Sequence, residues 1–138
     1  MGAWGLGPFD NDDAADWANE LDDAAPEDRA GLTRAALAEA ADEADYLDLE
    51  VANTAVAAAA VVALTRPDGM LVEDAHAPDF VKAGEPDAAA FDALVPLALR
   101  ALDRVVADES EWRDVWEEAG SFDDVLAELG PYREALGG

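Results

Sequence analysis

From Ala55 to Leu64 the chain carries no polar side chain at all, and Arg66-Pro67-Asp68-Gly69 follows almost at once. Alanine supplies most of this run. It is the best helix former and a poor strand former, so the segment reads as a helix that starts near Asp45 and ends near Thr65. A helix that is apolar nearly all round cannot lie on a surface; it needs neighbours on every side. At ten residues the run is too short to span a bilayer, so it is expected as the buried centre of a helical bundle. Residues 51–100 hold 7 of the 33 acids, as a buried central helix requires.

The flanking segments supply the neighbours. Asp10 or Asn11 caps a first helix, with Asp12 and Asp13 favourably placed in its first turn and an apolar stripe at Ala14, Trp17, Ala18 and Leu21. Pro26 opens a second helix that runs to about Ala41. A further stripe, Phe91, Leu94, Val95, Ala98, Leu102 and Val105, contains Pro96, which should kink or split its helix near Asp92. Two short amphipathic helices follow, through Trp112, Val115, Trp116 and Ala119, and through Phe122, Val125, Leu126 and Leu129; Ser121 with Asp124 makes a cap for the second. Residues 67–86 are irregular, with a short helical turn at Asp79–Ala83. No period-two stretch calls for a strand. The expected fold is all-α: one compact domain over residues 1–138, a bundle of about five to seven helices with an ordered N-terminal loop at 1–11.

Several function classes are closed by composition. Without cysteine there is no disulfide framework, thiolate metal site or cysteine nucleophile. Eight bases against 33 acids give a net charge of −25, which excludes direct nucleic-acid binding through phosphates and attraction to an anionic membrane. The first residues lack the basic and apolar regions of a signal peptide, so the expected location is the cytoplasm.

Candidate chemistry concentrates near the start. Asp12-Asp13-Ala14-Ala15-Asp16 matches DDxxD, and on a helix three such carboxylates could chelate a hard cation. The same spacing equally suits two acids that complement a helix dipole and one that faces water. An EF-hand fails on Ala14 and Ala15, and Gly2, Gly5 and Gly7 form no phosphate loop; they point to a backbone passing close to Trp4 or adopting positive φ. His76 is the one histidine, in an acidic loop, and neither Ser110 nor Ser121 occupies a nucleophile elbow. No cofactor is implied.

The opening, Met1-Gly2-Ala3-Trp4-Gly5-x-Gly7-x-Phe9-Asp10-Asn11-Asp12-Asp13-Ala14-x-Asp16-Trp17, resembles the start of a widespread family of small prokaryotic proteins known as a domain of unknown function (number 4259). The likeness extends through Ala55–Leu64, Ala101-Leu102-Asp103-Arg104-Val105-Val106 and Ser110-Glu111-x-x-x-Val115-Trp116-x-Glu118. It carries over no catalytic residue and implies that the N-terminal motif matters for packing or for binding.

Three functional expectations follow. The first is a non-catalytic module that docks a basic protein, immunity-like, antitoxin-like or regulatory, through Trp4, Phe9, Asp10, Asn11, Asp12, Asp13, Asp16 and Trp17. The second is a metal-dependent enzyme or metal-binding protein built on Asp12, Asp13 and Asp16. The third concerns the charge alone, as adaptation to a solvent of molar salt, where screening tames self-repulsion. Oligomeric state is left open.

Overall fold

In the computed structural model, which describes residues 5–66, 77–82 and 88–137, the alanine run forms the centre of a helical bundle. Its helices are α1 (Asp12–Asp23), α2 (Arg29–Ala41), α3 (Leu49–Leu64), α4 (Asp79–Lys82), α5 (Ala88–Asp92), α6 (Val95–Val106), α7 (Glu111–Glu118) and α8 (Phe122–Ala135). A short 3-10 turn, Pro26–Asp28, precedes α2. Among the described residues there is no strand, and the all-α expectation holds with eight helices instead of five to seven. Trp4, His76, residues 67–75 of the irregular segment and residues 83–86 lie outside the described residues.

Helix α3 packs against α1, α2, α6, α7 and α8. Its residues from Ala55 to Ala63 are all buried, Ala57, Ala58 and Ala59 with no exposed surface. Small side chains let the surrounding backbones approach, so many neighbours fit around one helix. The larger apolar groups come from the neighbours: Leu21 from α1, Leu37 from α2, Leu102 and Val105 from α6, Trp112 from α7, Val125 and Leu129 from α8. None of the described helices is long and apolar enough to cross a membrane.

Three boundaries differ from the sequence expectation. Helix α3 begins at Leu49 and not near Asp45, because the preceding residues stay extended. Leu47 is fully buried and pairs with the segment before α7: its N–H donates to the Glu109 carbonyl at 2.8 Å, and its carbonyl accepts from Glu111 N–H at 2.9 Å. Glu111 then accepts from Leu49 N–H through its side chain at 2.9 Å, capping α3 from a residue far away in sequence. At Pro26 the chain makes only the 3-10 turn, and α2 proper starts at Arg29. Ser121 makes no side-chain cap bond, whereas Ser110 accepts from Arg113 N–H at the start of α7. The break before Pro96 is as expected: α5 ends at Asp92 and α6 resumes at Val95, with Pro96 in its first turn where its missing N–H costs nothing. Helix α8 continues through Pro131, because Tyr132, Ala135 and Leu136 bury against the core.

Scarce positive charge is used inside the fold. Arg104 donates to the carbonyls of Glu43, Asp45, Asp108 and Glu109, tying the loop before α3 to the loop before α7. Arg29 donates to the carbonyls of Leu21 and Asp22 at the end of α1 and lies over the Phe80 ring at 4.4 Å. Asp22 in turn accepts from Asp79 and Phe80 N–H, which fixes the start of α4. Arg113 donates to the Val106 carbonyl and covers Phe122. On the outside, Tyr46 donates to the Asp114 carboxylate at 2.6 Å; that hydrogen bond is the main cause of a phenol pKa pushed up to about 12.

Candidate functional site

The N-terminal loop is organised around one carboxylate. Gly7 N–H donates to Asp10 Oδ2 at 3.0 Å, and Asp10 N–H donates back to the Gly7 carbonyl at 3.1 Å, closing a tight turn. A Cβ at Gly7 would stand 2.6 Å from that carboxylate oxygen and one at Gly5 2.9 Å, so a side chain at either position would push the Asp10 carboxylate out of its place in the turn. Neither Gly5 nor Gly7 takes the expected positive φ, and Trp4, the other expected partner, lies outside the described residues. Phe9, with no exposed surface, anchors the loop in the core. Asn11 then caps α1, its side-chain oxygen accepting from Ala14 N–H at 2.8 Å, as the sequence indicates. Gly7→Ala should break the turn, and a loss of about 1–2 kcal/mol in urea unfolding is expected, with Gly5→Ala losing less. A stability equal to the parent's would show that the Asp10 turn contributes nothing.

Two concave sites flank the start of α1. The first is a cleft of about 270 Å³ under the loop. Leu6, Gly7 and Pro8 form one wall, and Leu49, Val56, Trp112, Val115, Trp116, Val125 and Leu129 form an apolar floor. Asn11, Asp12, Asp13 and Asn53 make its polar end. The Trp112 ring meets Trp116 and Phe122 edge-on, each at 6.3 Å between centroids. Asn53, 8% exposed, is the one amide side chain in α3, and its Nδ2 donates to Asp13 Oδ2 at 3.0 Å.

The second is an open groove of about 290 Å³ between α1, α2 and α3. Asp13, Asp16, Trp17 and Glu20 line it from α1 at i, i+3, i+4 and i+7, the spacing of one helix face. Ala36 and Glu39 face it from α2, and Glu50, Val51 and Thr54 from α3. Five carboxylates therefore surround one half-buried tryptophan, with no basic side chain among the lining residues.

The structure separates the residues that the sequence groups together. Phe9 is core, and Asp10 belongs to the loop turn. Asn11 and Asp12 face the cleft, Asp16 and Trp17 the groove, and Asp13 lines both. Asp12, Asp13 and Asp16 do not converge: among the described residues no group of three acids or histidines is placed to hold a metal ion. Asp13 instead takes the Asn53 amide. Sequence reasoning alone does not pick out Asn53, Glu20, Glu39, Glu50, Trp112 and Trp116 as site residues. A signal exists for Asn53, an amide just before the wholly apolar part of α3. For the glutamates there is none, since pairing α1 with α2 and α3 is a tertiary event.

Among known proteins, the likeness lies with a family. Residues 2–128 match the family described as Domain of unknown function (DUF4259). No curated protein and no solved structure matches the chain.

Proposed function

The chain belongs to the DUF4259 family, matched over residues 2–128, and from that starting point we propose that it is a non-catalytic module that docks a basic protein segment. The observation that carries this reading is the groove between α1, α2 and α3, where Asp13, Asp16, Glu20, Glu39 and Glu50 surround Trp17. A lysine or arginine side chain laid there meets carboxylates on three helices and an aromatic ring that favours cations. The net charge of −25 adds long-range attraction that speeds encounter with a cationic surface. An immunity-like, antitoxin-like or regulatory role fits such a surface.

The test uses a defined probe, hexa-arginine amide, titrated at about 0.15 M salt with tryptophan fluorescence and calorimetry as readouts. Replacing Asp16 and Glu20 by lysine should weaken binding at least about tenfold, and Trp17→Ala should abolish the fluorescence response. Asp123 and Glu128, exposed on α8, replaced by lysine give the same change in net charge away from the groove. Equal weakening by both double variants would reject the groove as the docking site.

The amount of acid exceeds what one groove uses. Among the described residues four ion pairs join arginines to carboxylates, and every one is partly exposed. Such pairs contribute little. The rest of the acidic surface is best read as adaptation to a medium of high salt, compatible with the docking role.

A further inference from the structure

We propose that the cleft under the N-terminal loop is a site, separate from the outer groove, for a small neutral carboxamide carried on an apolar body. Its carbonyl would accept from the Asn11 amide, its N–H would donate to the Asn53 amide oxygen, and its body would lie on Val56, Trp112 and Trp116.

Two side-chain amides stand at the polar end of this cleft, and each is oriented by a hydrogen bond it already makes. Ala14 N–H can only donate, so Asn11 meets it with its oxygen, at 2.8 Å, and keeps its NH₂ to give. The Asp13 carboxylate can only accept, so Asn53 gives it the NH₂, at 3.0 Å, and keeps its oxygen to receive. The partners themselves fix both orientations, which removes the usual ambiguity of an amide. One amide therefore presents a donor and the other an acceptor within a single cavity. A head group with a carbonyl and an N–H side by side answers both.

Charge narrows the choice further. Asp12 and Asp13, in a chain of net charge −25, repel an anion. A cation finds no open counter-charge, because Asp13 already accepts from Asn53 and Asp12 is engaged as well. Taking an ammonium out of water costs far more than taking out an amide. The indoles of Trp112 and Trp116 can only donate, which again suits a carbonyl and not an ammonium.

The floor selects the body. A dry cavity of about 150 Å³ accommodates benzene, so a cleft of about 270 Å³ has room for one ring and a short linker. A few convergent polar groups at one end of an apolar cavity is the common plan of a small-molecule site. The inference goes beyond the docking reading and stands whether or not the outer groove binds a protein.

Three probes that share one ring test it, by calorimetry and by indole N–H shifts in NMR at about 0.15 M KCl. Phenylacetamide should bind saturably and shift the Trp112 and Trp116 signals, leaving that of Trp17 in the outer groove in place. Phenylacetate and phenylethylamine, the anionic and cationic counterparts, should each bind at least about tenfold more weakly. Raising KCl to about 1 M should not weaken the amide. Asn11→Ser keeps a cap for α1 and loses the NH₂ donor, so it should fold normally and weaken the amide about tenfold. The proposal fails if phenylacetamide does not saturate, if either charged probe binds as tightly, or if Trp17 shifts in place of Trp112 and Trp116. The probe comparison on the unaltered protein decides the matter even if the serine variant does not fold.

Discussion

Moving the protein from about 0.1 M to about 3 M KCl is expected to raise its melting temperature by about 10–20 °C. The chain sets 33 acids against 8 bases, and most of its arginines already donate to backbone carbonyls or to single, partly exposed carboxylates. The remaining acids stand beside one another on α1, in the groove and along the outer faces of α7 and α8. Each like-charge pair at helical spacing costs about 0.2–0.5 kcal/mol in dilute salt, and about ten such pairs cost about 2–5 kcal/mol. At about 0.1 M the screening length is about 10 Å, longer than these separations; above about 1 M it falls to about 3 Å and the repulsion is removed. Thermal melts followed by circular dichroism across a KCl series measure the effect directly. A melting temperature that does not change with salt would mean the acidic surface has no solvent role, and the docking reading would then have to account for all of it.

Trp112→Ala is expected to destabilise the protein by about 3–5 kcal/mol and to lower its melting temperature by about 10–20 °C. The indole is 3% exposed, the largest side chain that α7 contributes to the core, and meets Trp116 and Phe122 edge-on. It also forms part of the floor of the cleft with Val125 and Leu129 of α8 and Val56 of α3. Its removal leaves a hole where three helices meet, and the α7 backbone cannot slide in to fill it: the preceding Glu109 and Glu111 are pinned to Leu47. Urea unfolding should show a lower midpoint with an unchanged slope, and Trp112→Phe should recover part of the loss. A change below about 1 kcal/mol would show that α7 is held by its backbone pairing and not by the ring.

Much of the fold is legible in the amino-acid sequence. The central place of Ala55–Leu64 follows from its lack of a polar face, and the break before Pro96 from the missing proline N–H. The cap at Asn11 follows from residue chemistry within one turn. In each case the cause lies within a few residues of the effect. Leu47 is less transparent. It lies in an acidic, helix-compatible stretch, and only its pairing with residues 109–111 keeps it extended and delays α3 to Leu49. Gly5 and Gly7 of the opening motif are readable as a constraint, but their partner, the Asp10 carboxylate, is not.

The site divides along the same line. Local sequence determined an all-α domain with a buried alanine helix, an acidic first turn on α1 and a glycine-containing loop before it, because helix propensity, capping and hydrophobic period act over one or two turns. Tertiary structure alone decided which acids share a surface. It drew Glu39 and Glu50 to Asp16 and Trp17, turned Asp13 toward Asn53, buried Phe9, and kept Asp12 from joining Asp13 and Asp16 around a metal. The physical reason is that every helix here is compatible with many acidic faces, and only the packing of α1 and α2 on the featureless surface of α3 selects which of those faces meet.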